Sequence, residues 1–190
     1  MYLLIKRLFD IMAGVLALVM LGVPMLCIIA LVKCTSRGHA LHWSKRIGKN
    51  NVCFMMAKFR TMRTSAPQVA THLMSNPELY VTSVGKFLRK FSLDEIPQLY
   101  NILKGDLSFV GPRPALFNQD DLRELRTQKG IHVLQPGLTG WAQVNGRDDL
   151  PIPLKVEFDE YYLRHRSFFL DIKILFQTFF KAIKSEGVSH

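Results

Sequence analysis

One long apolar block and a series of short amphipathic segments divide the chain. Ile11 to Val32 contains no charged residue and consists mainly of Leu, Val, Ile, Met and Ala, a run long enough to cross a bilayer core as a helix. Beyond it the pattern shortens. A turn signal at Ile47-Gly48-Lys49-Asn50-Asn51 sits between Leu41 onward and the segment Val52 to Arg60, which predicts a β-hairpin. Thr64 to Pro77 reads as a loop with a short helix. A helix is expected over Val84 to Lys90 and another from about Asp94 to Lys104, closed by Gly105. Pro112 and Pro114 hold Arg113 in a stiff extended segment. Further on, Pro136-Gly137 marks a turn, Trp141 to Val144 a short strand, Asn145-Gly146 a tight turn and Leu154 to Arg164 a helix. In the last stretch Phe168, Phe169, Ile172, Leu175, Phe176, Phe179, Phe180 and Ile183 recur at helical spacing. That face either packs into the core or lies in the lipid headgroup region with lysines at its margin.

Three readings of the apolar block are open. A cleaved signal peptide is disfavoured, because the run exceeds a usual apolar core and Val32-Lys33-Cys34-Thr35 lacks a small-x-small cleavage pattern. A single-pass helix is the plain reading. A helix that enters one leaflet, bends and leaves on the same side is favoured by two features. Lys6 and Arg7 precede the run and Lys33, Arg37, Lys45 and Arg46 follow it, whereas a spanning helix carries its basic flank on one side. Pro24, beside Gly22, removes a backbone donor in mid-run and bends a helix there. With 190 residues the chain makes one modest catalytic-sized domain with an appendage, residues 1–35 as the membrane helix and 36–190 as the cytoplasmic body.

Charge sharpens this picture. Of the formal net charge of +10, all is carried between Lys33 and Lys90, where eleven lysines and arginines face a single acid, Glu78. Such a block suits an anionic membrane surface or a phosphorylated substrate. Nucleic acid is not an expected partner, since no helix-turn-helix, zinc-finger or aromatic RNA-binding pattern accompanies the charge. Cys27, Cys34 and Cys53 form no metal spacing and no even disulfide set, which fits a reduced, cytoplasmic body. His39 and His42 carry no expected role.

The chemistry concentrates at Ser92-Leu93-Asp94-Glu95-Ile96-Pro97-Gln98. Proline is tolerated only in the first turn of a helix, so Pro97 makes Asp94 and Glu95 first-turn residues, where free amides and the helix dipole favour negative charge. Ser92 to Glu95 also fits a capping box, which would be a purely structural role. The company of the dyad argues for more. Lys86, Arg89 and Lys90 lie just upstream, Lys58, Arg60 and Arg63 form a second cationic cluster, and Arg113 is held between prolines. Arg offers phosphate a planar fork and Lys a point charge. A carboxylate among these cations, with a divalent ion, is a phosphoryl-transfer site in outline.

The stretches KFRTM (58–62), SLDEIPQLYNILKGDLSFVGPRP (92–114) and PGLTGWAQVNGR (136–147) closely resemble the bacterial sugar transferases known as small monotopic phosphoglycosyl transferases, from Ile5 to Asp171 in family order. The resemblance implies an α+β, mostly helical fold: an N-terminal re-entrant membrane helix packed on a small cytoplasmic domain with a short β-hairpin and interfacial amphipathic helices. It implies transfer of a sugar 1-phosphate from a UDP-sugar to polyprenyl (undecaprenyl) phosphate with release of UMP, the first membrane step of bacterial glycan assembly. Asp94 is then the nucleophile that carries the phosphosugar and helps bind Mg²⁺, and Glu95 assists it. Lys58, Arg60, Arg89 and Arg113 would hold phosphates, with Arg147 on the nucleotide side. Arg89, Asp159 and Asp171 also match family positions, where salt bridging is the favoured role. The family bends its helix at a proline usually preceded by serine; here Val23 precedes Pro24. The implied place is the cytoplasmic face of the bacterial inner membrane, with the phospholipid bilayer as partner and a homodimer as a possible assembly. A glycosyltransferase releasing UDP and a catalytically inactive membrane scaffold are the alternative readings.

Overall fold

A computed structural model describes residues 1–66, 77–146 and 150–184. It is mostly helical, as expected. Helix α1 (Tyr2–Thr35) is followed by the antiparallel hairpin of β1 (Leu41–Ile47) and β2 (Cys53–Phe59). Then come α2 (Ser83–Lys90), α3 (Gln98–Lys104), β3 (Ser108–Val110), α4 (Asp120–Gln128), β4 (Gly137–Thr139), α5 (Trp141–Gly146), α6 (Ile152–His165) and α7 (Phe168–Lys184). Strands β3 and β4 pair in parallel as a second, minimal sheet.

Helix α1 is one unbroken helical segment of 34 residues through Pro24, about 50 Å long at 1.5 Å per residue. It is long and apolar enough to cross a membrane. Its contacts, however, run along its length. Near its start, Arg7 donates to the carbonyls of Ile102 (2.7 Å) and Leu103 (2.8 Å), taking up the unpaired end of α3. The buried Asp10 accepts from the Phe109 amide at 3.1 Å. A side chain in place of Gly14 would meet Leu103 Cδ2 at 2.9 Å, so the two helices touch closely there. Toward its other end Ile28 and Val32 pack with Ala40, Phe59 and Leu88. The opposite face, Leu4, Leu8, Met12, Leu16, Val19, Val23 and Leu26, is exposed at helical spacing.

The hairpin is pinned on both edges. Ile47 N–H donates to the Ala115 carbonyl at 2.9 Å, beyond β1. On the other side the fully buried Asn101 of α3 behaves like a further strand: its Oδ1 accepts from Ala57 N–H at 3.0 Å and its Nδ2 donates to the Met55 carbonyl at 2.8 Å. Met56, Leu99, Ile102 and Leu107 fill the space between hairpin and helix. A separate core of Val110, Leu122, Ile131, Val156, Tyr162 and Ile174 joins β3 to α4, α6 and α7.

Three expectations need correction. Trp141 to Gly146 is helical, in place of both the strand expected over Trp141 to Val144 and the tight turn at Asn145-Gly146, because the strand slot beside β3 is taken by Gly137–Thr139, and Val144 N–H closes a helical turn on the Gly140 carbonyl at 3.1 Å. The helix expected from Asp94 begins only at Gln98, behind a 3₁₀ turn over Leu93–Glu95. The phenylalanine face of α7 is not core. That helix packs through Asp171 and Ile174, with Thr178 bonded to Thr139, and leaves Phe169 at 87% and Phe176 at 64% exposure. The reason is polar: Asp171 accepts from Lys6 (2.8 Å), Tyr2 (2.8 Å) and Tyr162 (2.7 Å), which fixes the rotation of the helix.

Candidate active site

Ser92 adopts a left-handed backbone, φ 55° and ψ 22°, with no side-chain cap bond, so the capping box is not formed. The chain reverses there and presents Asp94 and Glu95 to the hairpin. Glu95 uses its carboxylate otherwise than in a cap. Its Oε1 accepts from Lys58 Nζ of β2 at 2.7 Å and from Arg113 Nη2 at 3.1 Å. Lys58 also stands 3.9 Å from Asp94 Oδ2. One lysine thus faces both acids of the dyad, and the arginine between the prolines closes the ring.

The two carboxyls titrate differently. Burial raises the Asp94 pKa above the ordinary aspartate range; Lys58 pulls it down, Glu95 adds to the rise, and Arg89 pulls it down again. For Glu95 burial alone would act upward, but the charges and hydrogen bonds of Lys58 and Arg113 prevail and hold it well below the glutamate range. Glu95 is therefore a fixed anion that organises two cations. Asp94 faces the same lysine only from 3.9 Å.

The other predicted residues divide. Arg89 reaches the site through its charge on Asp94, while its Nε donates to Thr61 Oγ1 at 2.9 Å. Arg60 is directed elsewhere: its Nη2 donates to the Ser36 carbonyl (2.9 Å) and Oγ (2.8 Å), tying the hairpin to the end of α1. Alternation along β2 puts Lys58 and Arg60 on one face, yet Ser36 captures the arginine. Arg147 lies outside the described residues. Asp159 and Asp171 are salt-bridged, as favoured above: Asp159 accepts from Arg126, and Asp171 from Lys6.

Sequence reasoning missed three supporting residues. Arg126 is buried and donates from Nη1 to the Arg113 carbonyl at 2.9 Å while its Nε and Nη2 hold Asp159 Oδ2 at 2.9 and 2.6 Å. Asn101 aligns the strand that carries Lys58. His42 sits directly across the ladder from Lys58. An arginine inside an otherwise charged surface-like helix gives no local sign of burial. Asn101 lies within the quoted 92–114 stretch but has no pattern of its own.

Two carboxylates with separated protonation behaviour, ringed by Lys58, Arg89 and Arg113, form a cluster whose cations suit phosphate-bearing groups. The comparison with known proteins is specific. The family described as bacterial sugar transferase matches residues 1–185, and the chain belongs to that family; it is a phosphoglycosyl transferase. It is 42% identical to the uncharacterized sugar transferase EpsL of Bacillus subtilis, covering 97% of this chain and 90% of that protein. It is 38% identical to the UDP-N-acetylgalactosamine-undecaprenyl-phosphate N-acetylgalactosaminephosphotransferase of Aeromonas hydrophila, over 93% of this chain and 43% of that one. With the UDP-glucose:undecaprenyl-phosphate glucose-1-phosphate transferase of Escherichia coli it shares 40% identity over 97% of this chain and 41% of that protein. The chain thus spans less than half the length of these last two relatives, whose names state a reaction.

Proposed function

We propose that this chain transfers a sugar 1-phosphate from a UDP-sugar to undecaprenyl phosphate by way of a covalent phosphosugar on Asp94. The observation that carries the reading is the division of labour in the dyad: Glu95 is committed to Lys58 and Arg113, and Asp94 faces the same lysine from 3.9 Å. The names of the relatives support both substrates.

The steps balance. An Asp94 oxygen attacks the β-phosphorus of the donor, and the bond from that phosphorus to the bridging oxygen breaks, so that UMP leaves with the electron pair. A phosphate oxygen of the polyprenyl acceptor then attacks the same phosphorus and Asp94 departs as carboxylate, leaving a lipid-linked sugar diphosphate. Lys58 and Arg113, oriented by Glu95, neutralise phosphate charge as it redistributes. Because Glu95 is held ionised and engaged by two cations, its contribution is to hold them in place, not to store a proton.

Mg²⁺ belongs to the reading. Among the described residues no group of three or more His, Cys, Asp or Glu side chains is gathered. The residues fit a magnesium ion held by the Asp94 carboxylate, with substrate phosphates and water supplying the remaining oxygens. When bound it offsets diphosphate charge.

The bilayer is the second element of the proposal. Both ends of α1 make polar contacts with the same body, Arg7 and Asp10 at one end and Ser36 through Arg60 at the other. A lipid-facing stripe between them, with both ends on the cytoplasmic side, agrees with the basic flanks. The exposed Phe87 of α2, Phe91 just past its end, and Phe169, Phe176 and Phe179 of α7 suit the headgroup layer.

Asp94→Asn tests the chemistry: UMP release from a UDP-sugar panel with Mg²⁺ and undecaprenyl phosphate should vanish while the protein stays folded and membrane-bound. Near-normal turnover would remove Asp94 as nucleophile, and UDP in place of UMP would indicate transfer of the sugar alone. Thiol labels introduced at residues 2 and 37 should react from the same face of the membrane. Reaction from opposite faces would exclude re-entry.

A further inference from the structure

His42 lies in the hairpin register opposite Lys58. Opposed residues on an antiparallel ladder share a face, with Cβ atoms about 4.5–5.5 Å apart, and alternate residues along each strand join them. The face therefore carries His42, Ser44 and Arg46 on β1 and Phe54, Met56 and Lys58 on β2. Its lower part is covered by α3 through Met56 and Phe54. Its upper part is open: His42 is exposed, and Lys58 beside it meets the dyad. Arg46 bonds Ser44 Oγ at 3.1 Å and the Pro114 carbonyl at 3.4 Å, so the same face also abuts the segment that presents Arg113.

We propose that His42 is a phosphate-contacting residue of this enzyme, its imidazole N–H donating a hydrogen bond to a phosphate oxygen of the substrate seated at the dyad. The inference rests on the phosphosugar-transfer reading and adds to it a residue with no role in the sequence reading. The chemistry is local. Arg46 stands on the histidine's own strand and Lys58 on β2, where Lys58 meets Asp94 and Glu95, and Glu95 in turn meets Arg113. Partial desolvation of the ring against the hairpin, then the charges of Lys58 and Arg46, lower the His42 pKa and favour the neutral ring in the free enzyme. A phosphate placed against this row offsets the two cations and accepts from the ring, both of which favour the imidazolium. Phosphate binding then takes up a proton. The sign follows: with the bound-state pKa raised above the lowered free-state one, affinity is greatest below the free-state pKa and falls as pH rises from there through the bound-state pKa.

Two phosphates reach this site, the diphosphate of the donor and the monophosphate of the acceptor, and separate titrations distinguish them. Calorimetry on the full chain in detergent, with UDP as one probe and a polyprenyl monophosphate as the other, is run at pH 7 in buffers of different ionisation enthalpy. His42→Phe is expected to weaken binding by about three- to tenfold, the loss of one hydrogen bond to phosphate. His42→Gln, which keeps an N–H but cannot take up a proton, should restore most of the affinity and none of the proton uptake. An effect confined to UDP assigns His42 to the donor diphosphate; one confined to the lipid assigns it to the acceptor. If both variants bind both probes like the wild type, with the same proton uptake, the proposal is overturned. UMP release by the wild-type chain tests the underlying reading separately, because binding is read here without turnover.

Discussion

The Arg126–Asp159 pair offers the sharpest separation of stability from activity. Both side chains are buried, at 10% and 2% exposure, and Arg126 binds Asp159 Oδ2 through two nitrogens while its third reaches the Arg113 carbonyl. Burial pushes the Asp159 pKa up, and Arg126 works against that rise. Arg126→Met removes the cation and strands a buried acid, at a cost of about 3–5 kcal/mol. For a chain of this size that is a Tm lower by about 6–20 °C. Arg126→Met combined with Asp159→Leu replaces the pair by apolar groups of similar bulk, which is often close to neutral, so most of the lost stability should return. Activity should not return with it, because the Arg113 carbonyl still lacks its donor and the arginine facing Glu95 loses its support. The assay is thermal unfolding in detergent beside UMP release for the wild type, the two single variants and the double variant. A double variant as unstable as Arg126→Met, or one with wild-type turnover, would refute the reasoning.

Two further substitutions probe the ring around the dyad. Glu95→Gln leaves Lys58 and Arg113 facing an uncharged amide, with an expected loss of about 2–3 kcal/mol at pH 7 and a marked fall in kcat/KM. The lowered Glu95 pKa means that this stabilisation is present above the ordinary glutamate value of 4.5 and is lost as pH falls below it, so wild type and variant should converge in acid denaturation; parallel curves down to pH 3 would contradict the clamp. Gly85→Ala sets helix propensity against packing: propensity favours alanine by about 1 kcal/mol, but the added Cβ would stand 2.1 Å from the Thr61 carbonyl. We expect lower stability by about 1–3 kcal/mol and reduced turnover, since α2 carries Arg89 toward Asp94; a more stable, fully active variant would show that the close approach does not matter.

Much of this protein was legible in local pattern. The apolar block, the hairpin with its turn at Gly48–Asn51, and helices α2 and α6 followed from periodicity and breakers, because each is set by neighbours within a few residues. The family motifs named Asp94, Glu95, Lys58 and Arg113, and the fold brings all four together. Sequence also favoured salt bridging for Arg89, Asp159 and Asp171; the two aspartates are salt-bridged, whereas Arg89 donates to Thr61.

What it left open depended on partners far along the chain. Whether Ser92 caps a helix or reverses the backbone was decided by Glu95 finding Lys58 and Arg113, charges that local sequence cannot weigh against a serine cap. Arg60 and Lys58 lie two residues apart, yet one serves the end of α1 and the other the dyad, since Ser36 captures the arginine. The phenylalanine face of α7 points outward because Asp171 is drawn in by Lys6, Tyr2 and Tyr162, three groups on two other helices. Sequence by itself determined which residues are able to carry phosphate chemistry and which segment is apolar enough for lipid. Only the tertiary structure decided which cation each acid takes, because an ion pair between distant segments is a property of distance, and distance is set by packing.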